Sequence, residues 1–359
     1  MSTSNTDNLS SDRRPEADGT SSESTPGLAP DLEEPIEANS PSPSDTDSAL
    51  GNDWESYTTS VTSSIWNYEY ENGRRYHAFR RGQYVIPNDE QEQERLDFLH
   101  HIHNMTFGGR LFLAPIGDNP QRVLDVGTGT GIWAINFADT YPSAEVIGID
   151  LSGIQPHWVP PNLHFQIDDI EAEWTFPHSQ PFDFIKIRSM AGSIANWEVL
   201  LQQAYDHMAP GAWIEVQDFE AWASTDDNSL PDDSNYAEFQ RLLDEASTKF
   251  GRKMNIAPHH KKAIIDAGFE NVVADVKKVP LSPWAKDPKL KELGRYMQVQ
   301  MLDAVEAYAL ALLSRVLGWD AIRVHALLAG VRKDLRNLDY HMYSKCHSVY
   351  GQKPFKNES

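Results

Sequence analysis

Seven residues from 125 to 131 carry the first chemical signal, with Asp125 set before three alternating glycines, Gly127, Gly129 and Gly131. Glycine permits positive φ and leaves no Cβ in the way, so a turn built this way brings backbone close to a ligand. A second acid, Asp150, closes the apolar run Glu145-Val146-Ile147-Gly148-Ile149 and lies nineteen residues beyond Gly131. That is where a nucleotide fold places the carboxylate that accepts hydrogen bonds from ribose hydroxyls. A third acidic site, Asp168-Asp169, ends the short run Phe165-Gln166-Ile167 and is followed by Ile170. The spacing is not that of the dinucleotide fingerprint G-x-G-x-x-G, because its third glycine place falls on Ile132.

These acids need elements that end at one place. Arg122 to Val126 is short and apolar apart from Asp125, and from Ile132 apolar residues resume at helical spacing, so the period changes across the glycines. The helix that starts there would aim its free N–H groups and positive dipole end into the crevice. Strands are expected near 122–126, 145–150, 163–167, 182–187 and 212–218, with helices between them. Such alternation predicts a parallel, doubly wound sheet whose ligand lies outside the carboxyl ends of the strands. The fourth strand ends at Arg188-Ser189-Met190 and the fifth at Gln217-Asp218-Phe219, both on the ligand edge. Arg188 either holds a carboxylate of the second substrate or bonds acids at the strand ends. A Gly268-Phe269 turn leads into a sixth strand, and a seventh near Asp275 to Val279 is expected to close an antiparallel edge. Helices are predicted over roughly 90–107, 236–250 and 258–267, with two long ones across 287–335. Of His100, His101 and His103, only His100 and His103 can share a helix face, and no nearby acid or cysteine completes a set, so no metal is expected.

Composition sets limits. The chain has 359 residues, 40% of them apolar, and a net charge of −22. Residues 1–53 hold twelve acids against two arginines, with much Ser, Thr and Pro, and are expected to be a disordered acidic tail. Beyond it we expect a lid and helices over 54–120, the catalytic core over 121–280 and C-terminal helices packed on that core over 281–359. The aromatic stretch from Tyr57 to Tyr70 is expected to pack. An acidic chain disfavours direct nucleic-acid binding, and the basic pairs Arg74-Arg75, Arg80-Arg81 and Lys261-Lys262 read as solvated faces. The single Cys346, the polar start and the interrupted apolar runs predict a protein without disulfide or membrane span, intracellular in cytoplasm or nucleus.

The pattern Asp125-x-Gly127-x-Gly129-x-Gly131, with Asp150 and Asp168-Asp169 behind it, resembles motif I and its sequels in the class I methyltransferases that use S-adenosylmethionine. Tyr68-Glu69-Tyr70-Glu71-Asn72-Gly73-Arg74-Arg75-Tyr76-His77, the helix start Asn88-Asp89-Glu90 and the motif I run together resemble the fungal LaeA-like methyltransferases over about residues 55–350. The resemblance implies a Rossmann-like, seven-stranded, mostly parallel sheet with helices on both faces and an N-terminal helical lid. It implies S-adenosylmethionine as cofactor, held by Asp125, Gly127, Thr128, Gly129, Gly131, Asp150, Leu151, Asp168, Asp169 and Ile170. Asp169 suits the adenine-facing place slightly better than Asp168, since Trp174 and Phe176 follow. Tyr76 and His77, in the expected lid, would wall the acceptor site together with Arg188 and Met190, and they are the candidates for a catalytic group; equally, they are packing contacts of the lid. Methyl transfer is an in-line displacement, so a dedicated base is optional. Three roles stay open: a small-molecule methyltransferase of secondary metabolism, a regulatory enzyme working through velvet-type protein partners, and a scaffold that binds without catalysis. The intact motif speaks against the third.

Overall fold

The computed structural model describes residues 68–77, 80, 82 and 84–355. The expectations for the tail and for residues 57–67 lie outside the described residues. A hairpin of β1 (Glu69–Glu71) and β2 (Arg74–Tyr76) comes first, then helix α1 (Glu90–Thr106). The core alternates through β3 (Arg122–Val126), α2 (Ile132–Thr140), β4 (Glu145–Asp150), β5 (Leu163–Ile167), β6 (Phe182–Arg188), α3 (Trp197–Asp206) and β7 (Met208–Phe219). Next come α4 (Asn235–Phe250), a 3-10 turn leading into α5 (His260–Asp266), and β8 (Glu270–Pro280). Two long helices, α6 (Pro288–Leu317) and α7 (Ala321–Arg336), precede the final strand β9 (Tyr343–Gln352).

Seven strands form one sheet in the order β5-β4-β3-β6-β7-β9-β8. β3 pairs in parallel with β4 on one side and β6 on the other, so the order reverses beside β3 and opens a crevice at that carboxyl edge. Val123, Leu124, Val126, Ile185 and Ile187 are fully enclosed, as expected for strands covered on both faces. One face packs against α2 through Trp133 and Phe137, and the other against α3 and α5 through Leu200, Leu201 and Ile264. Over the carboxyl ends of β8 and the start of β9 sits a third apolar cluster, built from α1, α4, α6 and α7. Among the described residues no helix is long and apolar enough to cross a membrane.

Three expectations are corrected. The antiparallel strand is β9 at 343–352, inserted between β7 and β8, whereas 275–279 belongs to the longer edge strand β8. β9 carries no apolar run to announce it. Its Ser348 and His347 are buried because distant acids receive them, Glu215 Oε1 from the Ser348 hydroxyl at 2.9 Å and Glu220 Oε1 against His347 Nε2 at 2.8 Å. The C-terminal segment therefore contributes a strand to the sheet as well as helices beside it.

The lid segment enters as a hairpin ahead of its helix α1. Asn72 and Gly73 both adopt positive φ, 51° and 81°, the conformation of a two-residue Asn-Gly hairpin turn. Arg74 is not a solvated charge. It is buried and forms a two-pronged ion pair with Asp89, Nε to Oδ2 at 2.6 Å and Nη2 to Oδ1 at 2.9 Å. Asp89 is also the N-cap of α1, accepting from the Glu92 N–H at 3.1 Å. Burial works against the ionised Asp89 carboxyl, but the bonds from Arg74 and from backbone N–H groups hold it below its ordinary value. Arg75 bonds Asn88 Oδ1 at 3.2 Å and Glu90 at 2.7 Å. The two short motifs read separately in the sequence are thus each other's partners, and their pairing fixes where α1 begins.

Candidate functional site

The turn after β3 is held by its own acid. Thr128 donates its hydroxyl to Asp125 Oδ2 at 2.6 Å, which closes the turn over the strand end. Gly127, Gly129 and Gly131 adopt φ of 69°, 58° and 82°. A Cβ on Gly127 would strike the sulfur of Met190, and one on Gly131 would strike the ring of Phe165. A Cβ on Gly129 would meet only Leu96, at 3.5 Å, an ordinary contact, so here it is the positive φ and not crowding that calls for glycine.

Asp150 anchors the next strand end. Its Oδ2 accepts the Gly129 N–H at 2.9 Å and its Oδ1 accepts the Ser152 N–H at 2.9 Å. Each oxygen keeps a lone pair, so both can still receive a hydroxyl. Burial pushes its carboxyl up to about 6 against the pull of those two N–H groups. Asn88, next to the α1 cap, donates to Ser152 Oγ at 3.2 Å and so ties the lid to this strand end.

Two adjoining cavities share Tyr84, Gly127, Asp150 and Met190. The first adds Asp125, Thr128, Gly129 and Arg188; the second adds Leu151, Asp168, Asp169 and Ile170. Of the ten residues expected to hold the cofactor, only Gly131 lines neither; it caps α2 and makes room for Phe165. Asp168 is exposed, while the half-buried Asp169 pairs with Arg80 of the lid segment at 3.1 Å.

Arg188 lies on the ligand edge, as expected, and there it meets a histidine. It is half-buried at the end of β6, in the glycine-turn cavity, with Nη1 2.9 Å from His100 Nδ1. Burial lowers its guanidinium to about 10, and the Asp125 carboxylate opposes that. Burial first, then Arg188, pulls His100 down to about 3, so its imidazole is neutral. His103 packs beside it, with Nε2 3.3 Å from Ser189 Oγ and Nδ1 3.7 Å from Cys346 Sγ.

A third, larger cavity opens from the first. The two share Tyr84, Leu96, Leu99 and Ser189, so Tyr84 borders all three spaces. Burial holds the Tyr84 phenol above its ordinary value, which makes it a hydrogen-bond donor and not a base. Its wall mixes apolar side chains with Glu92, Arg95, Asp218, Glu220, Gln240 and Gln300. Asp218 and Phe219, expected at the ligand edge, do line it; Arg188, Met190, Tyr76 and His77 do not.

Tyr76 is buried in the helical cluster under the Arg315 guanidinium, 4.8 Å from its ring centre, and burial pushes its phenol up to about 12. His77 packs on Tyr84 with ring centres 5.6 Å apart, one layer behind the cavity wall. Tyr84 is the lid residue that sequence reasoning missed. Nothing in the sequence around Val85-Ile86-Pro87 signals that its ring would be folded inward.

Comparison with known proteins agrees with this geometry. A family described as "Methyltransferase domain" matches residues 98–272. Methyltransferase pytC of Aspergillus terreus is 42% identical over 84% of this chain and 93% of its own length. Secondary metabolism regulator LAE1 of Cochliobolus heterostrophus is 38% identical over 79% of this chain and 94% of its own. Protein-methionine methyltransferase laeA of Emericella nidulans is 35% identical over 80% of this chain and 76% of its own.

Proposed function

The chain belongs to the LaeA-like fungal methyltransferases, enzymes dependent on S-adenosylmethionine, and from that premise we propose that it methylates a small-molecule acceptor in secondary metabolism. One observation carries the assignment of its cofactor site. Asp150 is braced by two backbone N–H groups beside the glycine turn at the wall of the first cavity, and its two oxygens keep lone pairs that fit the hydroxyls of a ribose.

In this reading Asp150 receives the ribose hydroxyls, Leu151 and Ile170 flank the adenine, and Asp169 takes the adenine amino group, with Arg80 holding it in place. Arg188 takes the carboxylate of the cofactor's amino-acid end. Among side chains it has a hydrogen bond to His100 and keeps further N–H groups for a planar anion. When bound, the cofactor supplies an electrophilic methyl on a sulfonium. The protein's work is orientation: Tyr84, Leu96, Leu99 and Ser189 frame the passage between the cofactor cavity and the third, which we assign to the acceptor. Tyr84, held protonated, orients by donating its hydroxyl.

Calorimetric titration of the full chain with S-adenosylmethionine, beside NAD, tests this. Binding of the first alone is expected, and binding of NAD instead would overturn it. A second reading, regulation through a velvet-type protein partner, is favoured by the relatives named as secondary metabolism regulators. Loss of many unrelated compounds in a deletion strain, and not of one, would select it.

A further inference from the structure

We infer that the methyl acceptor is a cationic amine carried on an apolar, ring-sized body, and that Gln300 and Glu220 recognise the amine. The inference rests on the methyltransferase reading and concerns the third cavity alone. Three carboxylates border that cavity, Glu92, Asp218 and Glu220, against a single cation, Arg95. Arg95 is already committed. Its Nε and Nη2 bond the two oxygens of Glu92 at 2.9 and 2.5 Å, with both side chains buried, and its Nη1 lies 3.3 Å from the Tyr308 hydroxyl.

The other two acids are held from behind. His260 Nε2 lies 2.7 Å from Asp218 Oδ2, while His347 Nε2 and Lys345 Nζ lie 2.8 and 3.5 Å from Glu220 Oε1. None of these three partners borders the cavity, whereas Asp218 and Glu220 do.

Gln300 is an independent observation. It borders the cavity from α6, it is 2% exposed, and its Oε1 has no hydrogen-bond partner. A buried amide oxygen left unpaired is costly, and the ligand that removes the cost is one that brings an N–H or O–H. A carboxylate ligand would meet repulsion from the acids and would leave Gln300 Oε1 unpaired. The rest of the wall, including Phe219, Phe239, Met297 and Met301, suits a flat apolar body. The balance of the reaction is consistent. The ammonium first gives one proton to a carboxylate of the wall such as Glu220, which frees the nitrogen lone pair; the N–C bond then forms as the donor's C–S bond breaks and that bond's electron pair passes to sulfur.

The test uses the full chain saturated with S-adenosylhomocysteine, titrated with tyramine, 4-ethylphenol and 4-hydroxyphenylacetate, which share one ring and differ in charge. Tyramine is expected to bind about ten-fold or more tighter than 4-ethylphenol, a charge-assisted hydrogen bond's worth, and 4-hydroxyphenylacetate not to saturate. Gln300→Leu and Glu220→Gln should each weaken tyramine roughly ten-fold while S-adenosylhomocysteine binds as before, which also reports folding. Equal binding of the three ligands, a preference for the carboxylate, no tyramine binding to the saturated protein, or unchanged tyramine affinity in either variant overturns the inference. Failure of S-adenosylhomocysteine itself to bind is read before any amine is added and overturns the methyltransferase site instead.

Discussion

Arg188 Nη1 lies 2.9 Å from His100 Nδ1, and a guanidinium can only donate, so Nδ1 of His100 is the acceptor. The imidazole proton therefore sits on Nε2, which lies 2.9 Å from Asn104 Nδ2 and 3.0 Å from Asn136 Nδ2, so Nε2–H can donate only where one of these amides is turned to present its oxygen. The ring orients Arg188 without neutralising it, which leaves a positive charge facing the glycine turn.

Arg188→Gln is expected to weaken S-adenosylmethionine binding by about ten- to a hundred-fold, the loss of a charge-assisted, two-pronged contact. Decarboxylated S-adenosylmethionine makes the sharper comparison. The unaltered protein should prefer the carboxylated form and the variant should not; calorimetry that finds the same preference in both would remove Arg188 from the site.

His100 should stay neutral across the physiological range. Burial and Arg188 lower its folded value to about 3, below the ordinary 6.5, so folding contributes stability above 6.5 that is lost as pH falls toward 3. Its ring resonance in a proton-detected NMR titration should not move between pH 5 and 8. A midpoint near 6.5 would contradict the geometry.

Cofactor affinity should depend on Asp150. Its folded value near 6 means that about a tenth is ionised at pH 5 and about nine-tenths at pH 7, and only the ionised form accepts from both ribose hydroxyls. Affinity should therefore rise roughly ten-fold over that interval and level off above it. Asp150→Asn should bind more weakly with a flat profile; a wild-type profile that is itself flat would refute the ribose role.

Tyr84 borders the cofactor and acceptor spaces together. Tyr84→Phe keeps the ring and should hold S-adenosylhomocysteine within about three-fold, whereas Tyr84→Ala should lose about ten-fold or more with the missing buried ring. Equal effects of the two substitutions would place the contribution in the hydroxyl and not in the wall.

Asp89 caps α1 and pairs with Arg74, so Asp89→Ala removes a cap and strands a buried guanidinium. A loss of about 2–4 kcal/mol is expected in urea unfolding, with Asp89→Asn intermediate because it keeps the cap and loses the charge. A change under about 0.5 kcal/mol would mean that the hairpin and helix hold together without this pair.

What the sequence itself determined was local. A glycine turn after a short apolar strand, an acid at each of three strand ends and the alternation of strand with helix are written in consecutive residues, because a strand end and the turn after it are built from neighbours in the chain. Those signals, with the family resemblance they carry, were enough for the fold and for a methyltransferase. Tertiary structure alone decided the rest. β9 is a strand because Glu215 and Glu220, more than a hundred residues earlier, receive its buried Ser348 and His347. Arg188 lines the glycine-turn cavity with His100 of α1 against it, and Tyr76 lies in the core with Arg315 over its ring. The third cavity is assembled from α1, the ends of β6 and β7, α4 and α6. Its carboxylates and its unpaired Gln300 are far apart in sequence, and burial, which turns an ordinary glutamine into a recognition group, is a property of packing and not of spacing.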